Sequence, residues 1–381
     1  MRGDIADVVV VGGGIIGCSV ALELASKQRY PSILLLEKTP YLGDGTSTRN
    51  SYVIHAGIYY PPGSMKARFC VEGNRLTYEF CEKHNIACSN TGKLVLASAE
   101  EEIPKLEELQ RNGTECGAPS LALLSSTEAR KLEPNVRAAA ALHSPSTGVF
   151  DAAQWFRVVE GLLSDWGVTV LKETKLIDVS PADDHFTVAT DRRGEVDARY
   201  LVNAAGLFSD EIANLVGNSY RIHPCRGDYF TVVEAKSHLV RGAVYPLPEA
   251  HGLGIHLTKL TDGTILIGPD SRHVADKDDY STLPVFDDAG DLRFDSEHFR
   301  RFFESARAML PMLGPEDIRL AHCGIRPRLR PPEDATFQDF SVERDSRHPR
   351  MIHCLGIESP GLTAALPIAR HVAALIREMD S

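Results

Sequence analysis

Asp7-Val8-Val9-Val10-Val11-Gly12-Gly13-Gly14-Ile15-Ile16-Gly17 opens the chain with an unbroken apolar run that stops on three glycines. Four consecutive valines suit a strand buried on both faces of a parallel sheet, and residues 17–27 read as the helix that follows. A second apolar strand over 33–36 ends at Glu37. Strand, glycine turn, helix and strand form the first βαβ unit of a doubly wound sheet. The turn fits Gly-x-Gly-x-x-Gly through Gly12, Gly14 and Gly17, with Ile15 and Ile16 at the variable places. Glycine lets the backbone approach a pyrophosphate, and the helix N-terminus offers amides and the positive end of its dipole. Glu37 lies twenty positions past Gly17, where a carboxylate accepts from ribose hydroxyls, with Lys38 beside it. Glycines alone also suit a structural turn; their place between strand and helix points to a dinucleotide. These features do not separate FAD from NAD.

The 381 residues, 43% hydrophobic and 24% charged, leave room for two domains. A formal net charge of -11, with basic residues scattered, argues against nucleic acid and leaves room for a small anionic substrate where arginines converge. No apolar run approaches the roughly 20 residues of a membrane span, and no basic-then-apolar leader starts the chain. A soluble cytoplasmic protein is expected, or a mitochondrial matrix one if a transit peptide has been removed. The eight cysteines form no Cys-x-x-Cys pair and no zinc spacing, so reduced thiols and no metal are expected.

From Lys66 onward Ala67, Cys70, Val71, Tyr78 and Cys81 recur at helical spacing, ahead of a strand over 94–97. Strands over 254–258 and 264–268 flank Asp262-Gly263, a hairpin signal that implies an antiparallel sheet. Parallel-strand patterns return at 168–171, 200–205 and 351–354. The expected architecture is α/β: a discontinuous Rossmann-like domain over 1–90, 145–215 and 321–381, with an α+β substrate domain of antiparallel sheet over 91–144 and 216–320. The last helix has one apolar face from Leu362 to Ile376. Pro367 requires either that it start shortly before that residue or that its first turn be distorted.

Several segments carry candidate chemistry. Leu201-Val202-Asn203-Ala204-Ala205-Gly206 ends a buried strand on small residues, which suits either close approach to a cofactor or a tight connection. Thr46, Ser47, Arg49, Asn50 and Ser51 are rich in donors, either to wrap phosphates and a flavin edge or as a polar loop. His55 has the chemistry of a base near neutral pH, although an isolated histidine is more often structural. His256 and Thr258 share a strand face opposite Ile255 and Leu257, a face that lines a cavity or meets water. Arg226, Arg326 and Arg328 are carboxylate-clamp candidates; Arg326 is preferred because it follows an apolar strand and precedes Pro327. Ser359-Pro360-Gly361-Leu362-Thr363 opens a helix whose dipole either stabilises a reduced flavin or is merely capped.

The block from Asn50 through His55 to Tyr60, then Gly63-Ser64-Met65-Lys66-Ala67-Arg68, resembles the L-2-hydroxyglutarate dehydrogenase family within the D-amino-acid oxidase superfamily. Gly254-Ile255-His256-Leu257-Thr258, Asp262-Gly263 and Gly268-Pro269 resemble the same family's hairpin, and the likeness covers essentially the whole chain. It implies FAD as cofactor and oxidation of an L-2-hydroxy acid, L-2-hydroxyglutarate to 2-oxoglutarate. His55 would take the hydroxyl proton as hydride passes to flavin N5, with His256 as the rival base. Arg326 would hold a carboxylate, while Tyr59, Lys66, Arg226 and Lys259 contact the rest of the substrate. Electrons would leave to a quinone, another carrier or dioxygen. Two features depart from this: Tyr52 stands where the family usually has glycine, and the 358–363 pattern is also similar to L-glycerol-3-phosphate oxidases. Oxidation of glycerol phosphate or of an amino acid on the same fold, and FAD binding without catalysis, are the alternatives.

Overall fold

The computed structural model describes residues 5–248, 253–281, 296–334 and 336–380. Ala6–Val11 lies inside an eight-stranded sheet, parallel to Ile33–Leu36 on one side and Gly194–Asn203 on the other. Thr169–Leu171 extends the first side and Met351–Leu355 the second, both parallel. Both faces are covered, which is why the opening run does not alternate. Val8 and Val10 pack with the helices Ile15–Ser26 and Gly361–Met379, whereas Val9 and Val11 pack on the other side with Val188, Leu201 and Ile212. Each such valine contributes roughly 1.5–3 kcal/mol of burial. Leu176–Pro181 and Phe186–Thr190 add an antiparallel edge that the sequence reading did not contain.

The second sheet has nine strands, antiparallel except where Ala243–Pro246 runs parallel to Lys93–Ala97. Its hairpin pairs Leu257–Lys259 with Ile265–Ile267. Gly263 at φ +88° and the Thr264 amide donating to Asp262 Oδ1 at 2.9 Å make the turn between them. The strand is shorter than expected, so His256 precedes it. Ile318–Arg328 runs antiparallel along His223–Val232 and carries the second sheet past the boundary expected at 320/321.

The last helix also differs from its reading. It runs unbroken over Gly361–Met379 with Pro367 inside it. Proline removes the donor that would reach the Thr363 carbonyl four residues back. That carbonyl instead faces Gly73 of the helix Met65–Lys83, so closely that a Cβ on Gly73 would sit 2.1 Å from the oxygen. The proline and the glycine together let the two helices cross in contact.

Candidate active site

A cavity of about 1670 Å³ runs from the glycine turn to the second sheet. At the turn, Gly12 has φ +105° and a Cβ there would lie 2.5 Å from the Ala204 carbonyl. Gly17 does not line the cavity; a Cβ on it would strike Gly12 O at 1.9 Å, so its absence seats the helix on the turn. Gly14 caps the helix without a side-chain bond, and the Ser47 hydroxyl accepts from the Ile15 amide at 3.0 Å. Glu37 Oε2 accepts from the Gly13 amide at 2.7 Å, and Oε1 accepts from the Thr39 amide and hydroxyl at 2.8 and 2.9 Å. This carboxylate therefore braces the turn as well as facing the cavity. Ile15, Ile16, Lys38, Ala205 and Gly206 continue the wall, with the Lys38 ammonium 3.5 Å from the Phe208 ring centroid.

Thr46, Ser47, Arg49, Asn50 and Ser51 line the middle of the cavity. Their loop is pinned to the second sheet by the Thr46 hydroxyl, which donates to the Ile325 carbonyl at 2.7 Å. Tyr52 has φ +56°, the left-handed region that explains a glycine preference at this place. Its phenol donates to the Thr48 carbonyl at 2.6 Å and stays off the cavity wall, so the space beside the loop is not narrowed by it. A cradle that a Cβ would fill, a helix start with glycine at its N-cap and a buried acid one strand away suit the phosphates and ribose of FAD, and the cavity continues far enough to hold its ring system.

His55, Tyr59, Lys66, His256, Arg326, Arg328, Glu358, Gly361 and Leu362 line the same cavity. His55 follows the short strand Val53–Ile54. Its amide donates to Thr363 Oγ1 at 3.0 Å and its carbonyl accepts from Asn74 Nδ2 at 3.0 Å. The ring Nε2 meets Ser359 Oγ at 3.3 Å, and Nδ1 has no partner among the described residues. The His256 ring stacks on Tyr245 at 3.7 Å, its Nδ1 donates to the Gly254 carbonyl at 2.9 Å, and its buried Nε2 has no partner among the described residues. Burial, then Lys93 and His256, pull His55 down to about 3; burial, with Lys93 and Arg326 behind it, does the same to His256, against the Gly254 bond. Both imidazoles are thus held in the neutral form by burial.

Arg326 Nη2 donates to the Asp270 carbonyl at 3.1 Å and Nη1 lies 3.9 Å from Cys225 Sγ, with no carboxylate partner among the described residues. Lys66 Nζ and Arg328 Nε bind opposite oxygens of Glu358 at 3.1 and 3.0 Å. Burial alone would raise Glu358, but these two cations outweigh it and hold the acid down at about 2. The Tyr59 hydroxyl is buried without a partner among the described residues, and its pKa is raised by burial.

Three expected contacts are corrected. On His223–Val232 it is Gly227 and Tyr229 that reach the cavity, so Arg226 points to the other face. There it binds Asp228 Oδ1 at 2.9 Å and donates to the carbonyls of Asp279 and Ser281. Lys259 likewise turns away and donates to the Ser237 carbonyl. Thr363 is fully buried and reaches the site only through the His55 amide and the Val53 carbonyl, to which it donates at 3.2 Å. Sequence reasoning missed Tyr229, Tyr245 and Glu358, whose roles arise only when separate segments meet.

The family described as FAD dependent oxidoreductase matches residues 7–375. The mitochondrial L-2-hydroxyglutarate dehydrogenase of Arabidopsis thaliana is 35% identical, over 96% of this chain and 82% of its own length. The Homo sapiens protein of that name is 31% identical over 96% and 88%, and the Escherichia coli K12 L-2-hydroxyglutarate dehydrogenase 28% over 98% and 93%. Among solved structures, dithionite-reduced L-alpha-glycerophosphate oxidase from Mycoplasma pneumoniae, with FAD bound, superposes at TM-score 0.87 with 25% identity over 98% of this chain and 95% of that one. L-proline dehydrogenase from P. horikoshii shares the fold at TM-score 0.82 and 18% identity, covering 100% and 95%. No helix among the described residues is long and apolar enough to cross a membrane. The choice between FAD and NAD that the glycine turn left open is settled by a match spanning both sheets and the cavity between them: this chain belongs to the FAD dependent oxidoreductase family.

Proposed function

We propose that this FAD-dependent enzyme oxidises a short L-2-hydroxy dicarboxylate, L-2-hydroxyglutarate, to the 2-oxo acid. The observation that carries the reading is Arg326, a guanidinium lining the cavity that meets a carbonyl and a thiol but no carboxylate among the described residues, in a cavity that two neutral imidazoles also line. Arg326 binds the carboxylate next to the reacting carbon through paired hydrogen bonds. His55 takes the hydroxyl proton at Nε2, the ring nitrogen that meets Ser359 Oγ at 3.3 Å on the accessible side, since Nδ1 is buried. FAD, when bound, supplies the hydride acceptor. Since Arg226 and Lys259 face elsewhere, the distal carboxylate falls to Lys66 and Arg328, two cations sharing the single charge of Glu358. Tyr59 lines the same cavity with its hydroxyl buried. Electrons then leave to a quinone, another carrier or dioxygen, in the cytoplasm or the mitochondrial matrix.

The solved glycerophosphate oxidase favours a second reading, glycerol 3-phosphate oxidation, in which the Lys66–Arg328 cations take a phosphate. Anaerobic flavin bleaching decides between them, comparing L-2-hydroxyglutarate with its D-enantiomer, L-lactate, glycerol 3-phosphate and amino acids. Preference for L-2-hydroxyglutarate, lost by well over tenfold in Arg326→Ala, is expected. Preference for glycerol 3-phosphate or an amino acid rejects the hydroxy-acid reading, and bleaching by none of them leaves a flavin-binding protein without this chemistry.

A further inference from the structure

Lys93 is 1% exposed, and its ammonium nitrogen has no hydrogen-bond partner among the described residues. It does not line the cavity but lies one layer behind, with Nζ 4.4 Å from the Tyr59 ring centroid and 4.8 Å from that of Tyr245. Both rings belong to the cavity wall, as do His55 and His256, on which Lys93 acts electrostatically. Cys70, from the helix Met65–Lys83, is a further titratable neighbour among the described residues. An unpaired buried charge is costly, yet two aromatic faces favour a cation. The group is therefore balanced between amine and ammonium, and a negative charge entering the adjacent cavity shifts that balance because low-dielectric surroundings screen it little.

We propose that Lys93 is a ligand-linked proton site: when a dicarboxylate occupies the cavity, its amine takes one proton from solvent and becomes the buried counter-charge to the ligand. The inference rests on the dicarboxylate reading above. Only an N–H bond forms, and nothing is oxidised. Burial holds the free amine down at about 7 against its ordinary 10.5, with Cys70 opposing weakly, so it is largely neutral at pH 8 and largely protonated at pH 6. A bound anion raises that pKa, so uptake is large at pH 8 and small at pH 6.

The test is calorimetric titration of the FAD-loaded protein with glutarate, which lacks the oxidisable hydroxyl, in buffers of differing ionisation enthalpy. Wild type is expected to take up roughly half a proton or more per glutarate at pH 8 and far less at pH 6. Lys93→Met, and Lys93→Arg with its permanent charge, are expected to bind glutarate without that uptake. Glutarate binding by wild type without uptake at pH 8, uptake larger at pH 6 than at pH 8, or uptake retained in Lys93→Met overturns the proposal. The wild-type pH comparison decides even if the variants fail to fold. Glutarate failing to bind wild type at all overturns the dicarboxylate reading itself, and the proposal with it.

Discussion

The His55 amide donates to the Thr363 hydroxyl at 3.0 Å, joining residues 308 positions apart. The same hydroxyl donates to the Val53 carbonyl at 3.2 Å, so one side chain holds the strand end that carries the proposed base against the first turn of the last helix. Thr363→Val keeps the shape and removes both bonds, leaving buried backbone groups unpaired at a cost of about 1–3 kcal/mol. Thermal unfolding and the rate of flavin reduction should both fall, while Thr363→Ser stays near wild type. Equal reduction rates in Val and wild type would show that the bond does not position His55.

His55 and His256 are both held near 3 by burial, so neither gains a proton between pH 5 and 8 in the free enzyme. The second-order rate constant for flavin reduction, which reports the free enzyme, should therefore lack an acid limb near 6.5. His55→Ala is expected to slow it by roughly 100-fold or more with FAD retained, the scale of a lost general base. A larger loss in His256→Ala, with His55→Ala near normal, would assign the proton to His256.

Glu37 should be tested with the turn in mind, since it accepts from the Gly13 amide and from Thr39 as well as facing the cavity. Glu37→Ala is expected to weaken FAD binding by about tenfold or more, measured by fluorescence titration, and to lower the melting temperature of the apoprotein, because a bond to charge worth about 1.5–3 kcal/mol is lost. An unchanged apoprotein melt with weaker FAD binding would confine Glu37 to the ribose.

Glu358→Gln leaves Lys66 and Arg328 largely buried without their counter-charge, at a cost of about 3–5 kcal/mol, read by denaturant unfolding. The acid's folded pKa is depressed from 4.5 to about 2, so its stabilising share is complete above pH 4.5 and disappears as pH falls toward 2. The difference between wild type and Glu358→Gln should accordingly narrow over that window and be constant near neutrality.

Much of this protein follows from local pattern. An apolar run without alternation requires cover on both faces, and Val8 to Val11 alternate between two cores as that demands. Gly12, Gly14 and Gly17 sit at a turn whose tight contacts admit no side chain at Gly12 and Gly17, and Asp262-Gly263 turns a hairpin because Gly263 takes φ +88°. His55, His256 and Arg326 were singled out by residue type and neighbourhood, and all three line the cavity.

Direction and partnership were decided elsewhere. Arg226 and Arg326 look equivalent as residues, but they lie on neighbouring antiparallel strands, and Asp228 with the Asp279 and Ser281 carbonyls claims the first while the cavity takes the second. The depressed basicity of the histidines, the Lys66–Glu358–Arg328 triad and the stranded amine of Lys93 all depend on burial among segments far apart in the chain. The sequence determined which elements form and which turns close, because those are set by neighbours along the backbone; the tertiary structure alone decided which charges meet and which are left unpaired, because desolvation and pairing are set by neighbours in space.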